Sequence, residues 1–202
     1  MNMRMMLMLS GLLIFLGAHS LRMLAPEWRR SFIAKVGLLR WRSGFALVSL
    51  VGLLLVVYGF AGVREDPTVI WLPSMRTRYL AWGLSLIGFV LWGAASIRGN
   101  LIKSRLHHPL ALGTGLWALA HLVSNGMLAH LILFGSIFVW SVASYLAARV
   151  RDVDESVAYP RGSKSATFGA VVAGTVAWFV SVVWLHGWLV DIRPLSWALL
   201  FE

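Results

Sequence analysis

The residues of this sequence best suited to chemistry are histidines inside apolar segments. His19, His121, His130 and His186 each stand in a long hydrophobic run, and His108 stands at the start of one. A neutral imidazole nitrogen is a common metal ligand and binds haem iron well. Ionisable side chains within a membrane are costly and for that reason usually functional, so these histidines are the first candidates for a site.

The residue types that are missing from these segments exclude several kinds of metal and cofactor site. The chain contains no cysteine, which excludes disulfides, iron–sulfur clusters, thiolate zinc sites and covalently attached c-type haem. All eight carboxylates fall in loops or at the ends of apolar runs, so acidic proton relays and hard-cation sites inside the membrane are not expected. Imidazole is then the only soft ligand, and haem b is the natural cofactor.

Helical geometry limits which histidines can share an iron. His108 and His121 are thirteen residues apart, so on one helix they differ by about 140° in direction and by nearly 20 Å along the axis. Each therefore needs a partner on another helix. The face that carries His121 is predicted to include Thr114, Trp117, Ala118 and Asn125, of which the small residues would let a flat macrocycle approach.

The depths of the histidines suggest two levels. His19 and His108 are expected towards one membrane face, and His121 and His186 towards the other, which taken alone suggests two sites. Arg22, one turn after His19, could pair with a haem propionate. The alternative for every one of these histidines is a structural role, in which the ring only hydrogen-bonds a carbonyl group; this is the expected role of His130 and His107.

The segments that must position these residues are membrane-spanning helices. Of the 202 residues 59% are hydrophobic and 13% charged, and mean hydropathy is +0.77. Apolar runs long enough to cross a hydrocarbon core of about 30 Å recur along the chain. The sequence predicts an all-α, polytopic membrane helix bundle of about six transmembrane helices, in one domain over 1–202, with spans at 5–22, 43–63, 79–97, 109–124, 127–148 and 167–190.

Lysine and arginine residues predict the orientation of the bundle. The first, third and fifth loops, with Arg22 at the end of the first span counted with the first loop, hold thirteen of the 18 basic residues. Short basic loops stay in the cytoplasm, so both termini are predicted to be periplasmic in a bacterial inner membrane. The net charge of +10 fits contact with anionic headgroups of a lipid bilayer, and no nucleic acid is expected as a partner.

Three stretches carry a family resemblance: "FLGAHSLRMLAPEWR", "RLHHPLALGTGLWALAHLVSNG" and "WLHGWLVDIRP". They resemble the NnrU family of bacterial membrane proteins over nearly the whole chain, and more distantly the 15-cis-zeta-carotene isomerase of plants and cyanobacteria. The resemblance implies a haem b protein associated with denitrification and nitric oxide metabolism. In the isomerase, the redox state of a haem controls isomerisation of a carotenoid double bond.

The resemblance also implies a ligand pair. The isomerase's implicated haem ligands match His19 and His121, and its proline-preceding histidine matches His108. A cysteine discussed there as an alternative ligand is Ala118 in this chain, so a ligand switch through that thiolate is excluded. The pair from the family conflicts with the two-level arrangement, and both stay open. One haem per chain is favoured over two.

Three functions follow as expectations. The first is a haem protein of nitrogen-oxide metabolism that acts by electron transfer, by nitric oxide binding or in support of the reductases. The second is an enzyme, a haem-dependent cis–trans isomerase of a carotenoid-like polyene. The third is a haem-free transporter or assembly factor. The expected partners are a redox protein or an apolar polyene substrate, and the catalytic residues, if the chain is an enzyme, are unknown.

Overall fold

The computed structural model describes residues 2–190 and Pro194, and this part of the chain is helical. The three residues after Val190 in the "WLHGWLVDIRP" stretch, and the C-terminus whose location was predicted, lie outside the described residues. Within that part the only β-type pairings are two isolated bridges, so the prediction of an all-α fold is confirmed.

The helices follow one another with short connections. They are α1 (Met3–Leu24), α2 (Pro26–Val36), α3 (Leu38–Val63), α4 (Met75–Ser96), α5 (Leu101–Leu106), α6 (Pro109–Ser124), α7 (Leu128–Asp154), α8 (Lys164–Val180) and, after a π-helical turn at Ser181–Leu185, α9 (His186–Val190).

Five of these helical segments are long and apolar enough to cross a membrane: α1, α3, α4, α7, and α8 together with its continuation. Helix α6 is shorter, and its 16 residues rise about 24 Å. With α6 the bundle has the six spans that the sequence predicted. The two short helices α2 and α5 were not predicted, because they fall in segments interpreted as loops.

The helix ends follow from local sequence. The side chains of Ser74, Asn100 and Ser163 each accept a hydrogen bond from a backbone N–H in the first turn of α4, α5 and α8. Such caps satisfy donors that a helix start leaves unpaired. Pro26 and Pro109 begin α2 and α6, where the missing N–H of proline costs nothing.

Helix α4 is the support on which α6 and α8 both pack, at crossings too close for a side chain. A Cβ atom added to Gly113 of α6 would lie 2.6 Å from the carbonyl oxygen of Gly88, and one added to Gly93 would lie 2.3 Å from that of Ala170 in α8. Gly88 and Gly93 point about 140° apart on α4. Helices α6 and α8 therefore occupy different faces of α4.

The remaining helices extend the packing from α6, away from α4. Helix α7 packs on α6, α3 packs on α1, and α1 meets α7. Between these pairs lies the hydrophobic core, which includes the buried side chains of Met8, Leu12, Val56, Leu133 and Phe134. The core thus joins the α1–α3 pair to α6 and α7, which carry His121 and His130.

The loops gather at two ends of the bundle. One bridge pairs Asn100 with Ser163 and so joins two of the loops. We call the end of the bundle formed by α2, residues 97–108 and residues 155–163 the basic end. At the opposite end, a second bridge pairs Val69 with Met127. The three basic loops therefore share one end, as the spans require. Which side of the membrane that end faces stays a prediction.

Candidate functional site

His121 lies in the last turn of α6, near the opposite end of the bundle. Its Nδ1 atom is 2.9 Å from the carbonyl oxygen of Trp117. A carbonyl oxygen only accepts, so Nδ1 carries the proton and donates it, and Nε2 keeps its lone pair. A backbone carbonyl that fixes the tautomer of an imidazole is the usual arrangement behind a metal-binding histidine.

His186, at the start of α9, lies close to His121. The two ring centroids are 6.3 Å apart and the ring planes differ by 23°. His186 begins α9 directly after the π-helical turn, and its backbone N–H bonds the carbonyl oxygen of Ser181, five residues earlier. A π-turn changes the direction of all the side chains that follow, and such turns are frequent at functional sites.

The centroid distance between these two rings is compatible with one metal ion bound to both. Metal–nitrogen bonds to imidazole are about 2 Å long, so two imidazoles on opposite sides of one ion have centroids roughly 6 Å apart. Within residues 2–190 no group of three or more metal-ligating side chains comes together. Two imidazoles without further protein ligands suit haem, because the porphyrin supplies the other four nitrogen donors.

Aromatic rings surround His121. Phe134 of α7 stacks on it with centroids 4.3 Å apart, and Trp117 lies at 4.6 Å. Trp117 also contacts Trp92 of α4 at 6.1 Å. These rings give the imidazole apolar surroundings.

Hydrogen bonds hold the tryptophans of this region. The indole N–H of Trp92 donates to the hydroxyl of Thr114 at 3.2 Å, which ties α4 to α6. The indole N–H of Trp178 in α8 donates to the hydroxyl of Ser85 in α4 at 2.9 Å. Both indoles are half-buried and have a hydrogen-bond partner, and these bonds tie α6 and α8 to α4.

Asn125 secures the end of α6. Its side-chain amide donates to the carbonyl oxygen of His121 at 2.9 Å. The next residue, Gly126, accepts hydrogen bonds from the backbone N–H groups of Ile70 and Trp71. The loop between α3 and α4 therefore covers the helix end that carries His121.

His19 of α1 forms the same kind of hydrogen bond as His121 but has different neighbours. Its Nδ1 atom donates to the carbonyl oxygen of Phe15 at 2.7 Å, so Nε2 again keeps its lone pair. The ring packs against those of Phe15, Phe45 and Trp140 at 4.3, 5.0 and 6.0 Å. Arg22, one turn further on, is exposed and lies near enough to Arg151 of α7 for their like charges to interact.

Helix α7 separates the regions of His19 and His121. His19 contacts Trp140, whereas His121 contacts Phe134, six residues earlier on the same helix. Six residues correspond to about 9 Å along a helix and to directions about 120° apart. The two histidines therefore meet α7 at different depths and on different sides, in agreement with the two-level arrangement.

His108 is bound to a carboxylate instead of a carbonyl group. Its Nε2 atom lies 2.8 Å from Oδ2 of Asp152 at the end of α7, and the hydroxyl of Tyr159 donates to both Asp152 oxygens at 3.0 and 3.1 Å. Arg149 contacts the same carboxylate at 3.4 Å. Burial and the bond to Asp152 raise the pKa of Tyr159, so its hydroxyl stays a donor.

His107 completes this cluster with a strained backbone. Its φ and ψ angles are 63° and −52°, and the backbone N–H of His108 bonds the carbonyl oxygen of Leu106 at 2.7 Å. This is the γ-turn with a positive φ, a rare and strained form. The ring of His107 stacks on Tyr159 at 3.9 Å and contacts Arg149. The cluster thus ties the start of α6 to α7 and to the loop that follows.

The structure brings together some of the sequence-predicted residues and separates others. His121, Trp117, Asn125 and His186 share one region, whereas His19 with Arg22 and His108 lie elsewhere. His130 is buried between Phe60 and Phe134, but among the described residues its Nδ1 atom has no hydrogen-bond partner, so the bond from that atom to a carbonyl group expected of a structural histidine is not formed.

Sequence reasoning missed Phe134, the partners of His108 and the π-turn. The first two follow from how distant helices meet. The π-turn has no sequence signal that we can identify.

Fold and site together define a polytopic helical membrane protein with two neighbouring imidazoles near one end of the bundle, one of which packs among aromatic rings. The model of the family described as NnrU protein matches residues 7–194, and the chain belongs to this family. No curated protein matches the chain. No solved structure matches it either.

Proposed function

We propose that this NnrU family member is a haem b protein and that His121 and His186 would hold the haem iron. The observation that supports the proposal most is the spacing of the two rings, 6.3 Å between centroids with planes 23° apart. The ligand pair implied by the family resemblance, His19 and His121, stays a prediction that competes with this one.

The residues around the pair have definite tasks in this proposal. The carbonyl oxygen of Trp117 holds the Nδ1 proton of His121 and directs the Nε2 lone pair outward. The rings of Phe134 and Trp117 exclude water from the imidazole. Asn125 holds the carbonyl oxygen of His121 and thereby the last turn of α6. A bound haem would supply one-electron chemistry at this place.

The family resemblance supports a narrower role in nitrogen-oxide metabolism. Of the three roles considered for it, electron transfer agrees best with the geometry, because an iron with two protein ligands has no open coordination position for nitric oxide. The other two roles would require one histidine to be displaced or a partner to be bound.

The experiment is an optical spectrum of the purified protein, oxidised and reduced. Two histidine ligands should give a low-spin spectrum with a sharp α-band on reduction, and acidified organic solvent should extract the haem because no cysteine holds it covalently. A preparation from haem-replete cells that is colourless and unchanged by added haemin would refute the proposal and favour a haem-free transporter or assembly factor.

A further inference from the structure

Helix α2 is a surface helix that the rest of the protein covers only in part. None of its eleven residues is buried. Pro26 begins it, and Gly37, whose φ of 87° suits glycine, ends it and turns the chain into α3. Single residues join α2 to two spanning helices, α1 and α3. It therefore lies at the depth where these helices leave the membrane.

The helix has an apolar face and a polar face. Trp28, Phe32 and Val36 follow one another at four-residue spacing, so their directions differ by only about 40° each. Trp28 and Phe32 remain 50% and 38% exposed although both are large apolar side chains. Ala34 and Arg30 point to the other side. A short helix of this kind is typical of the interface between headgroups and acyl chains.

The charge around α2 is strongly positive. Between residues 22 and 42 the chain has one carboxylate, Glu27, against six cations: Arg22, Arg29, Arg30, Lys35, Arg40 and Arg42. Glu27 forms an ion pair with Arg30, and the guanidinium of Arg29 lies over the ring of Trp41 at 5.5 Å. The remaining cations give this surface a net positive charge that a membrane of anionic lipid would complement.

We propose that α2 lies in the plane of the membrane and binds anionic phospholipid. The rings of Trp28 and Phe32 enter the acyl boundary, and the cations, Lys35 and Arg40 among them, contact headgroup phosphates. The long side chain of Lys35 reaches the headgroups from beside the apolar face. This inference is independent of haem binding, because none of the ring contacts described for these residues involves His121 or His186.

A row of rings gives the lipid contact a consequence inside the bundle. Trp28 and Phe32 pack on Trp41 at 6.3 and 5.9 Å, Trp41 packs on Phe45 at 6.1 Å, and Phe45 packs on His19 at 5.0 Å. A lipid that holds α2 against the membrane therefore also holds the packing around His19.

The absence of cysteine makes the position of α2 measurable with single labels. A spin label is attached to Val36→Cys on the apolar face or to Ala34→Cys on the polar face, in nanodiscs of phosphatidylcholine with or without phosphatidylglycerol. The proposal expects the Val36 label to be buried in lipid and the Ala34 label to remain at the water boundary. Equal water exposure of both labels would overturn it and indicate a helix that serves a protein partner.

Lipid selectivity is measured on two charge-matched variants. Lys35→Gln with Arg40→Gln should lower the preference for phosphatidylglycerol over phosphatidylcholine in native mass spectrometry by roughly tenfold or more, because each cation near the surface contributes separately. Arg76→Gln with Arg78→Gln, at the start of α4 at the opposite end, should leave it unchanged. Equal losses in both variants, or displacement of the lipid by inorganic phosphate at low concentration, would contradict a lipid site at α2.

Discussion

His108 and His121 stand at the two ends of helix α6, and their ring nitrogens have different partners. His121 donates Nδ1–H to a backbone carbonyl and lies among aromatic rings with His186 opposite. His108 is bonded through Nε2 to the carboxylate of Asp152, which Tyr159 and Arg149 also contact. The first arrangement leaves Nε2 for a metal, whereas the second uses it to join helices. The atom that each nitrogen meets therefore distinguishes a candidate ligand from a structural histidine.

The largest effect that the comparison of His121 with His108 predicts is the loss of haem when His121 is removed. His121→Ala should lower the haem content by at least about tenfold, since loss of groups that merely support a ligand already costs 10–100-fold in metal affinity. The measurement is haem per chain in protein purified from haem-replete cells. His108→Ala, at the other end of α6, is the matched control and should keep its haem. Similar losses in both variants would remove the distinction between the two ends.

His186→Ala separates the proposed pair from the pair that the family resemblance implies. It should turn the low-spin spectrum into a high-spin one or lower the haem content severalfold, because one axial ligand remains. His19→Ala should retain the low-spin spectrum, since α7 separates His19 from His121. The reverse result, with His19 essential and His186 dispensable, would establish the pair His19 and His121.

Asp152→Asn should affect stability and leave the haem spectrum unchanged. The side chain of Asp152 is only 11% exposed, and its carboxylate accepts bonds from His108 and Tyr159. Without the charge, we expect a loss of about 1–3 kcal/mol in the free energy of unfolding. Denaturant unfolding in detergent measures the loss. A variant that unfolds as the parent does, or that loses haem, would show that this cluster is not a structural tie.

Tyr159→Phe should have the smallest effect. It removes one donor from Asp152 but keeps the ring that stacks on His107 at 3.9 Å. The expected loss is about 1 kcal/mol, less than for Asp152→Asn, because His108 and Arg149 still contact the carboxylate. The same unfolding assay compares the two variants. A larger loss for Tyr159→Phe than for Asp152→Asn would assign the stability to the tyrosine.

The spans could be predicted from the sequence because each is a long apolar run with clear breaks. The start of α6 at Pro109 followed from the restrictions of proline, and its end at Ser124 from the "SNG" turn. Helix α2 was missed because its charge and its short length resemble those of a loop, although Pro26 and Gly37 mark its ends. Local sequence therefore determined the long elements better than the short ones.

The site was predictable only in part. The sequence identified His121 and His186 as candidate residues and predicted their depths in the membrane. A histidine is easily recognised in an apolar run, and the rise per residue of a helix gives its depth. Their mutual approach depends on the π-turn at Ser181–Leu185 and on glycine crossings such as Gly93 with Ala170, which bring α8 onto α4. The bond between His108 and Asp152 joins residues 44 positions apart and could not be inferred from spacing.

Haem stoichiometry in two double variants tests the central claim most directly. Pigment and protein are quantified in the parent, in His121→Ala with His186→Ala, and in His19→Ala with His108→Ala. The account predicts one haem per chain in the parent, none in the first variant, and one with an unchanged low-spin spectrum in the second. Haem that persists without His121 and His186, or two haems per chain that fall to one without His19 and His108, would contradict a single haem between His121 and His186.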